Sequence, residues 1–156
     1  MKFREFLAEF LVKDVGEFFC KALPTTETMN YIINAFPVTV EDPHVTLMFS
    51  KTPIDKLDIP EFPRETRFVA KPLSYEWWPG SDGEGFLVLK LESAGFKWAH
   101  NTLKEAGLVP THPEYNAHMT LQTPVTRESV QHYLNQLPPQ DLLTFYYGGY
   151  VIRKGE

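Results

Sequence analysis

The string Ser81-Asp82-Gly83-Glu84-Gly85 constrains this chain more than any other feature. It is a cluster of turn residues between two runs with strand patterning, 67–77 and 86–91. A link this short joins antiparallel strands, because a parallel pair needs a crossover of about a dozen residues or more. The fold is thereby committed to antiparallel sheet. Further strand patterns lie at 44–49, 117–121 and 143–153, the last with a bulge or bend at Gly148-Gly149. Helices are predicted between them. Thr25 or Thr26 caps one near 26–35, Ser93 caps one from 94 to 106 closed by Gly107, and Thr126 opens one that ends before Pro138-Pro139. Residues 51–66, rich in proline and charge, are expected as a surface loop. Residues 3–22 carry Phe3, Phe6, Leu7, Phe10, Leu11, Val15, Phe18 and Phe19 at spacings of three and four. That predicts a helix, broken or kinked at Gly16 and stopped at Pro24. Interleaved helices and hairpins point to an α+β fold in one domain over 1–156, and the order of elements hints at two related halves.

Composition excludes several classes. A hydrophobic fraction of 43% with 12 Phe is too apolar for a disordered chain. No apolar run reaches the ~18 residues that cross a bilayer. Glu5 and Glu9 interrupt the N-terminus where a secretory signal needs apolar residues. The single cysteine, Cys20, can form neither an internal disulfide nor a Cys-rich zinc site and reads as a small core residue. A cytoplasmic location is the expectation. The net charge is −5 and the basic residues are scattered, so binding to long nucleic acid is disfavoured. A local pocket for a small anion stays open.

Five histidines are present, and three begin a His-x-Thr tripeptide. The tripeptide alone is a weak signal; its context separates the three. Pro43-His44-Val45-Thr46-Leu47 and Ala117-His118-Met119-Thr120-Leu121 both alternate polar and apolar residues. On a strand, positions i and i+2 share a face, so each His and its Thr project side by side. His100-Asn101-Thr102 lies in a helical pattern, where i and i+2 do not face each other, and is set aside. Two imidazoles on one pocket suit proton transfer in both directions near neutral pH, one as base and one as acid. The threonine hydroxyls can donate to phosphate oxygens as charge builds. This is acid/base phosphoryl transfer that needs no metal or other cofactor.

The pair His44-Val45-Thr46 and His118-Met119-Thr120 resembles the 2H phosphoesterase superfamily, and within it the phage anti-CBASS phosphodiesterases, whose first motif reads like Asp42-Pro43-His44-Val45-Thr46-Leu47. The resemblance implies a bilobal fold of two pseudo-symmetric antiparallel sheet lobes with flanking helices and a central cleft. It implies hydrolysis of the 3′–5′ linkages of cyclic di- and trinucleotide immune messengers, in the host cytoplasm. His44 and His118 would be the acid/base pair, either one starting as base, and Thr46 and Thr120 would hold the non-bridging oxygens. An RNA 2′,3′-cyclic phosphodiesterase, or a non-catalytic sponge for cyclic nucleotides, are the competing functions.

Nucleobases need a stacking surface. Trp77 and Trp78 precede a turn, and adjacent strand residues face opposite ways, so at most one should enter a pocket. Trp77, Trp78 and Tyr115 are the candidate substrate contacts, with Phe10, Tyr146 and Tyr147 as further aromatics; core packing is the other reading for each. Lys51, Lys90 and Arg153 are possible phosphate partners or merely solvated charges. His112, Glu114 and His118 are a conceivable zinc set, although no helical His-Glu-x-x-His and no cysteine cluster accompany them. His132 reads as the polar face of a helix.

Overall fold

The Asp82-Gly83 turn forms as its composition demands. Both residues have positive φ, 59° and 78°, the twist that lets a tight turn follow two right-twisted strands. Gly83 takes this conformation without a Cβ penalty. It closes the hairpin of β3 (Arg67–Pro79) and β4 (Gly85–Glu92). The computed structural model describes residues 16–51 and 57–154, with side chains over 17–51 and 57–149. The other elements are β1 (Gly16–Pro24), α1 (Thr26–Ala35), β2 (Val45–Ser50), α2 (Ala94–Glu105), β5 (His118–Val125), α3 (Arg127–Leu134) and β6 (Leu143–Lys154). Each helix has the expected N-cap: the hydroxyls of Thr25, Ser93 and Thr126 accept from the backbone N–H three residues on.

The fold is α+β, and the described strands close into one antiparallel ring, β1-β2-β5-β4-β3-β6. The expected two lobes are therefore not separate sheets. The ring contains two strand–helix–strand units, β1-α1-β2 and β4-α2-β5. They meet where β2 and β5 pair, through Val45 opposite Met119. On the far side β3 and β6 complete the ring from Arg67↔Tyr146 to Ala70↔Leu143. One face of the sheet is the core. Ala22, Val45, Met119, Leu89 and Tyr75 form a cross-strand row of buried side chains, and Phe18, Phe96, Phe145 and Leu121 extend it. Burying each large side chain contributes about 1.5–3 kcal/mol. Bulges shape the ring, two of them on the strands that flank β1. Leu47 is the extra residue on β2, since Lys21 pairs with Thr46 and Cys20 with Met48. Gly148-Gly149 lies where β6 slips against β1, with Gly149 at φ 84°.

The helix expected over 3–22 is corrected at its C-terminal end: 16–24 is a strand. Phe18, Cys20 and Ala22 are buried in alternation, a period of two that the flanking phenylalanines disguised as helical spacing. The remainder of that segment, Phe10 included, lies outside the described residues. Cys20 is a core residue, and burial pushes its thiol up to about 12. His132 is exposed on α3, its ring 3.9 Å from that of Tyr133.

Candidate active site

His44 precedes β2 and His118 opens β5, so the one pairing between those strands decides how the motifs meet. Val45 opposite Met119 in an antiparallel pair sets His44 beside Thr120 and Thr46 beside His118. The two motifs are thus inverted copies lying side by side on the face opposite the core. His44 and His118 are diagonal neighbours across this strand pair, positions about 7–8 Å apart.

Both rings are anchored in the same way. His44 Nδ1 lies 2.8 Å from the Asp42 carbonyl oxygen, and His118 Nδ1 lies 2.7 Å from the Asn116 carbonyl oxygen. A carbonyl only accepts, so each Nδ1 carries the proton. Each Nε2 is left to exchange a proton with a substrate.

The surroundings of the two rings differ. His118 is half-buried under Trp78, ring centroids 4.2 Å apart. Its pKa is lowered, chiefly because burial strips water from the charged form; the hydrogen bond to Asn116 opposes this. The nearby positive charges of His44, His112 and Lys90 add to the lowering. His44 packs edge-on against Phe19, centroids 5.9 Å apart, and has a carboxylate oxygen of Asp42 3.9 Å from Nδ1.

A cavity of about 670 Å³ opens beside three of the four motif residues; His44 is not in its lining. Thr46, His118 and Thr120 line it, together with Trp78, Phe86, Val88 and Phe49 and the segment 110–116. Trp78 and Trp77 separate as adjacent strand residues should. Trp78 lines the cavity, its indole N–H donating to Glu76 Oε1 at 3.0 Å. Trp77 packs against the core, its N–H donating to the Val125 carbonyl at 3.0 Å, and is absent from the cavity lining. Tyr115 lines the cavity, but its hydroxyl is committed to the Thr46 carbonyl at 2.9 Å. Tyr146 lies 5.6 Å from the Arg67 guanidinium and Tyr147 packs on Phe62; neither is in the cavity lining. Lys51 is exposed on the loop after β2, and the side chain of Arg153 lies outside the described ones.

From a helix, Thr102 cannot face His100 as the motif pairs do. Thr102 indeed turns back to the Trp98 carbonyl at 2.8 Å. His100 nevertheless reaches the cavity wall from α2, stacks on Tyr115 at 4.3 Å and donates from Nδ1 to the Leu47 carbonyl at 2.7 Å. Two successive β2 carbonyls, Thr46 and Leu47, thus receive side-chain donors just past the Val45–Met119 pair, where the strand departs from β5. Buried carbonyls need such partners, and this pair of rings supplies them. No sequence periodicity announces a contact between residues so far apart.

A family model described as anti-CBASS protein Acb1 matches residues 24–138. The chain belongs to the anti-CBASS Acb1 family. Its role is therefore evasion of the bacterial CBASS defence. The matched span runs from the end of β1 through α3 and contains both His-x-Thr motifs, Trp78 and the cavity segment 110–116. No curated protein matches the chain. Among the described residues no helix is long and apolar enough to cross a membrane, and no group of three or more His, Cys, Asp or Glu is placed to hold a metal ion.

Proposed function

We propose that this anti-CBASS protein is a metal-independent 2H phosphodiesterase that cleaves 3′–5′ linkages of cyclic di- and trinucleotide immune messengers in the infected host cytoplasm. The observation that carries this reading is the inverted, side-by-side placement of two His-x-Thr motifs, both imidazoles held by Nδ1 so that Nε2 is available. The presence of two strand–helix–strand units, one carrying each motif, supports the comparison with the two lobes of a 2H phosphoesterase. Family membership supplies the biological setting.

The differing surroundings favour one division of the roles. His118, desolvated and ringed by cations, starts neutral and is the base. Its Nε2 takes the proton of a ribose 2′-OH, and the 2′-oxygen attacks the adjacent phosphorus. His44, held through Nδ1 by the Asp42 carbonyl, is the acid and gives a proton from Nε2 to the departing 5′-oxygen. The P–O5′ bond breaks as the P–O2′ bond forms, leaving a 2′,3′-cyclic phosphate. Water then opens that ring with the roles of the two histidines exchanged. Thr46 and Thr120 donate to the non-bridging oxygens, where negative charge grows. Trp78 offers one face to a nucleobase, a contact worth about 1–3 kcal/mol.

Incubation in EDTA with 3′,3′-cyclic dinucleotides, a cyclic trinucleotide and an RNA 2′,3′-cyclic phosphate, read by mass spectrometry, tests the proposal. Linearised rings are expected, and His44→Ala or His118→Ala should each lower turnover by about 10²–10⁴. Opening of the RNA end alone would move the substrate to RNA processing. Tight retention of a ring without product would make the protein a sponge. A complete loss in EDTA, reversed by zinc, would overturn the metal-independent mechanism.

A further inference from the structure

Among the described residues the cavity lining contains Glu114 and no Lys or Arg, in a chain of net charge −5. An anionic substrate must then find its cations beside the cavity rather than in its walls. The strand registers show where they are. Lys21 on β1 is the cross-strand partner of Thr46, and Lys90 on β4 is the cross-strand partner of His118. With Thr46 beside His118, the four strands present one row, Lys21–Thr46–His118–Lys90, on the face away from the core. The buried row Ala22–Val45–Met119–Leu89 lies one residue along on the same four strands, so the polar row must face the other way.

We infer that Lys21 and Lys90 bind the phosphates on either side of the reacting one, so that the site takes a substrate with several phosphodiesters rather than a single one. This rests on the phosphodiesterase reading above. Adjacent strands are about 4.8 Å apart, so the two lysine backbones stand about 14 Å apart with the reacting centre midway between them. Each ammonium is held by one carboxylate. Lys21 Nζ lies 3.2 Å from Asp42 Oδ2, and Lys90 Nζ lies 3.6 Å from Glu76 Oε2. An ammonium has three N–H donors, so one carboxylate leaves donors for a phosphate. Both lysine side chains are less than one-third exposed, 23% and 32%, which limits the freedom lost when they engage. The same two acidic residues tie the lysines to the catalytic groups. Asp42 also anchors His44 through its carbonyl, and Glu76 also holds Trp78 over His118.

The test compares a 3′,3′-cyclic trinucleotide, whose ring carries one phosphate on each side of the reacting one, with a linear ribodinucleoside monophosphate, which has one diester and no flanking phosphate. Lys21→Gln and Lys90→Gln are each expected to raise KM for the ring about tenfold, the scale of one charge-assisted contact. The double variant should lose about a hundredfold, since the sites are too far apart to couple. The loss on the single diester should be several-fold smaller for every variant. The salt dependence of ring binding should also weaken, its logarithmic slope falling by about 0.7 per lysine. Lysine-to-arginine variants should restore most of the affinity. Equal losses on both substrates, or an unchanged salt slope, would overturn the inference. Wild-type turnover in EDTA, abolished in His118→Ala, reads the phosphodiesterase proposal separately. If the wild type turns over neither compound, calorimetric binding of the ring to wild type and the two lysine variants reads the lysines directly. Equal affinity for all three would then sink the inference.

Discussion

Under the proposed mechanism, His118 and Trp78 set the proton chemistry of the site between them. A histidine whose pKa is lowered keeps its basic form to lower pH than an ordinary one. Activity that needs neutral His118 should therefore persist as pH falls through the usual histidine range and be lost only below it. The acid limb of kcat/KM, measured on a cyclic dinucleotide, is expected at a midpoint below about 6.5. Trp78→Ala admits water to the ring, removes the main cause of the lowering and should move that midpoint up towards 6.5. A wild-type limb above 6.5, or no movement in the variant, would transfer the base role away from His118. At this scale much was legible in the sequence. His44, Thr46, His118 and Thr120 stood out because alternation puts each pair on one strand face. The separation of Trp77 from Trp78 followed from the same rule, but which of the two faces the cavity did not.

The element that matters most is β2, whose Thr46 and Leu47 carbonyls are held by Tyr115 and His100. Tyr115 is the wall behind the strand as much as a surface for substrate. Tyr115→Phe keeps the ring stack and removes one donor, leaving the Thr46 carbonyl without its partner. It is expected to cost about 1–3 kcal/mol of stability and to lower kcat more than it raises KM, because Thr46 loses its position rather than the substrate its contact. Thr102→Ala, which removes only a helix-surface hydroxyl bonded to Trp98, should leave turnover at the wild-type level. Urea denaturation and steady-state kinetics on the three proteins check this. A pure KM effect in Tyr115→Phe would return that residue to substrate contact. Helix positions and caps were readable from local signals, since capping is settled within a few residues. Strand β1 was not, because Phe18 and Phe19 satisfy both periods and the closure of the ring decides between them.

At the scale of the whole molecule the seam between the two strand–helix–strand units is also the floor of the site. Met119 is fully buried there, opposite Val45. Met119→Ala should destabilise the fold by about 2–5 kcal/mol through the cavity it leaves, while Met119→Leu, nearly equal in volume, should cost less than about 1.5 kcal/mol. Because the two motifs are aligned by this one pairing, kcat should fall with stability in the alanine variant and recover in the leucine one. Denaturant titration alongside turnover measures both, and a stable, fully active Met119→Ala protein would show that the seam does not hold the motifs in register.

The sequence by itself determined the types of the elements after β1, the hairpin at Asp82-Gly83, the helix caps, the α+β class and the two His-x-Thr pairs. All of these rest on interactions within a few residues, where turn chemistry, capping and side-chain period act directly. Only the tertiary structure decided that the sheet closes into one ring, that Val45 meets Met119, that His118 is the desolvated histidine, that His100 and Tyr115 brace β2, and that Lys21 and Lys90 flank the centre. These depend on which distant strands pair and in what register, and pairing is chosen by burial of the whole apolar face rather than by any local run of residues.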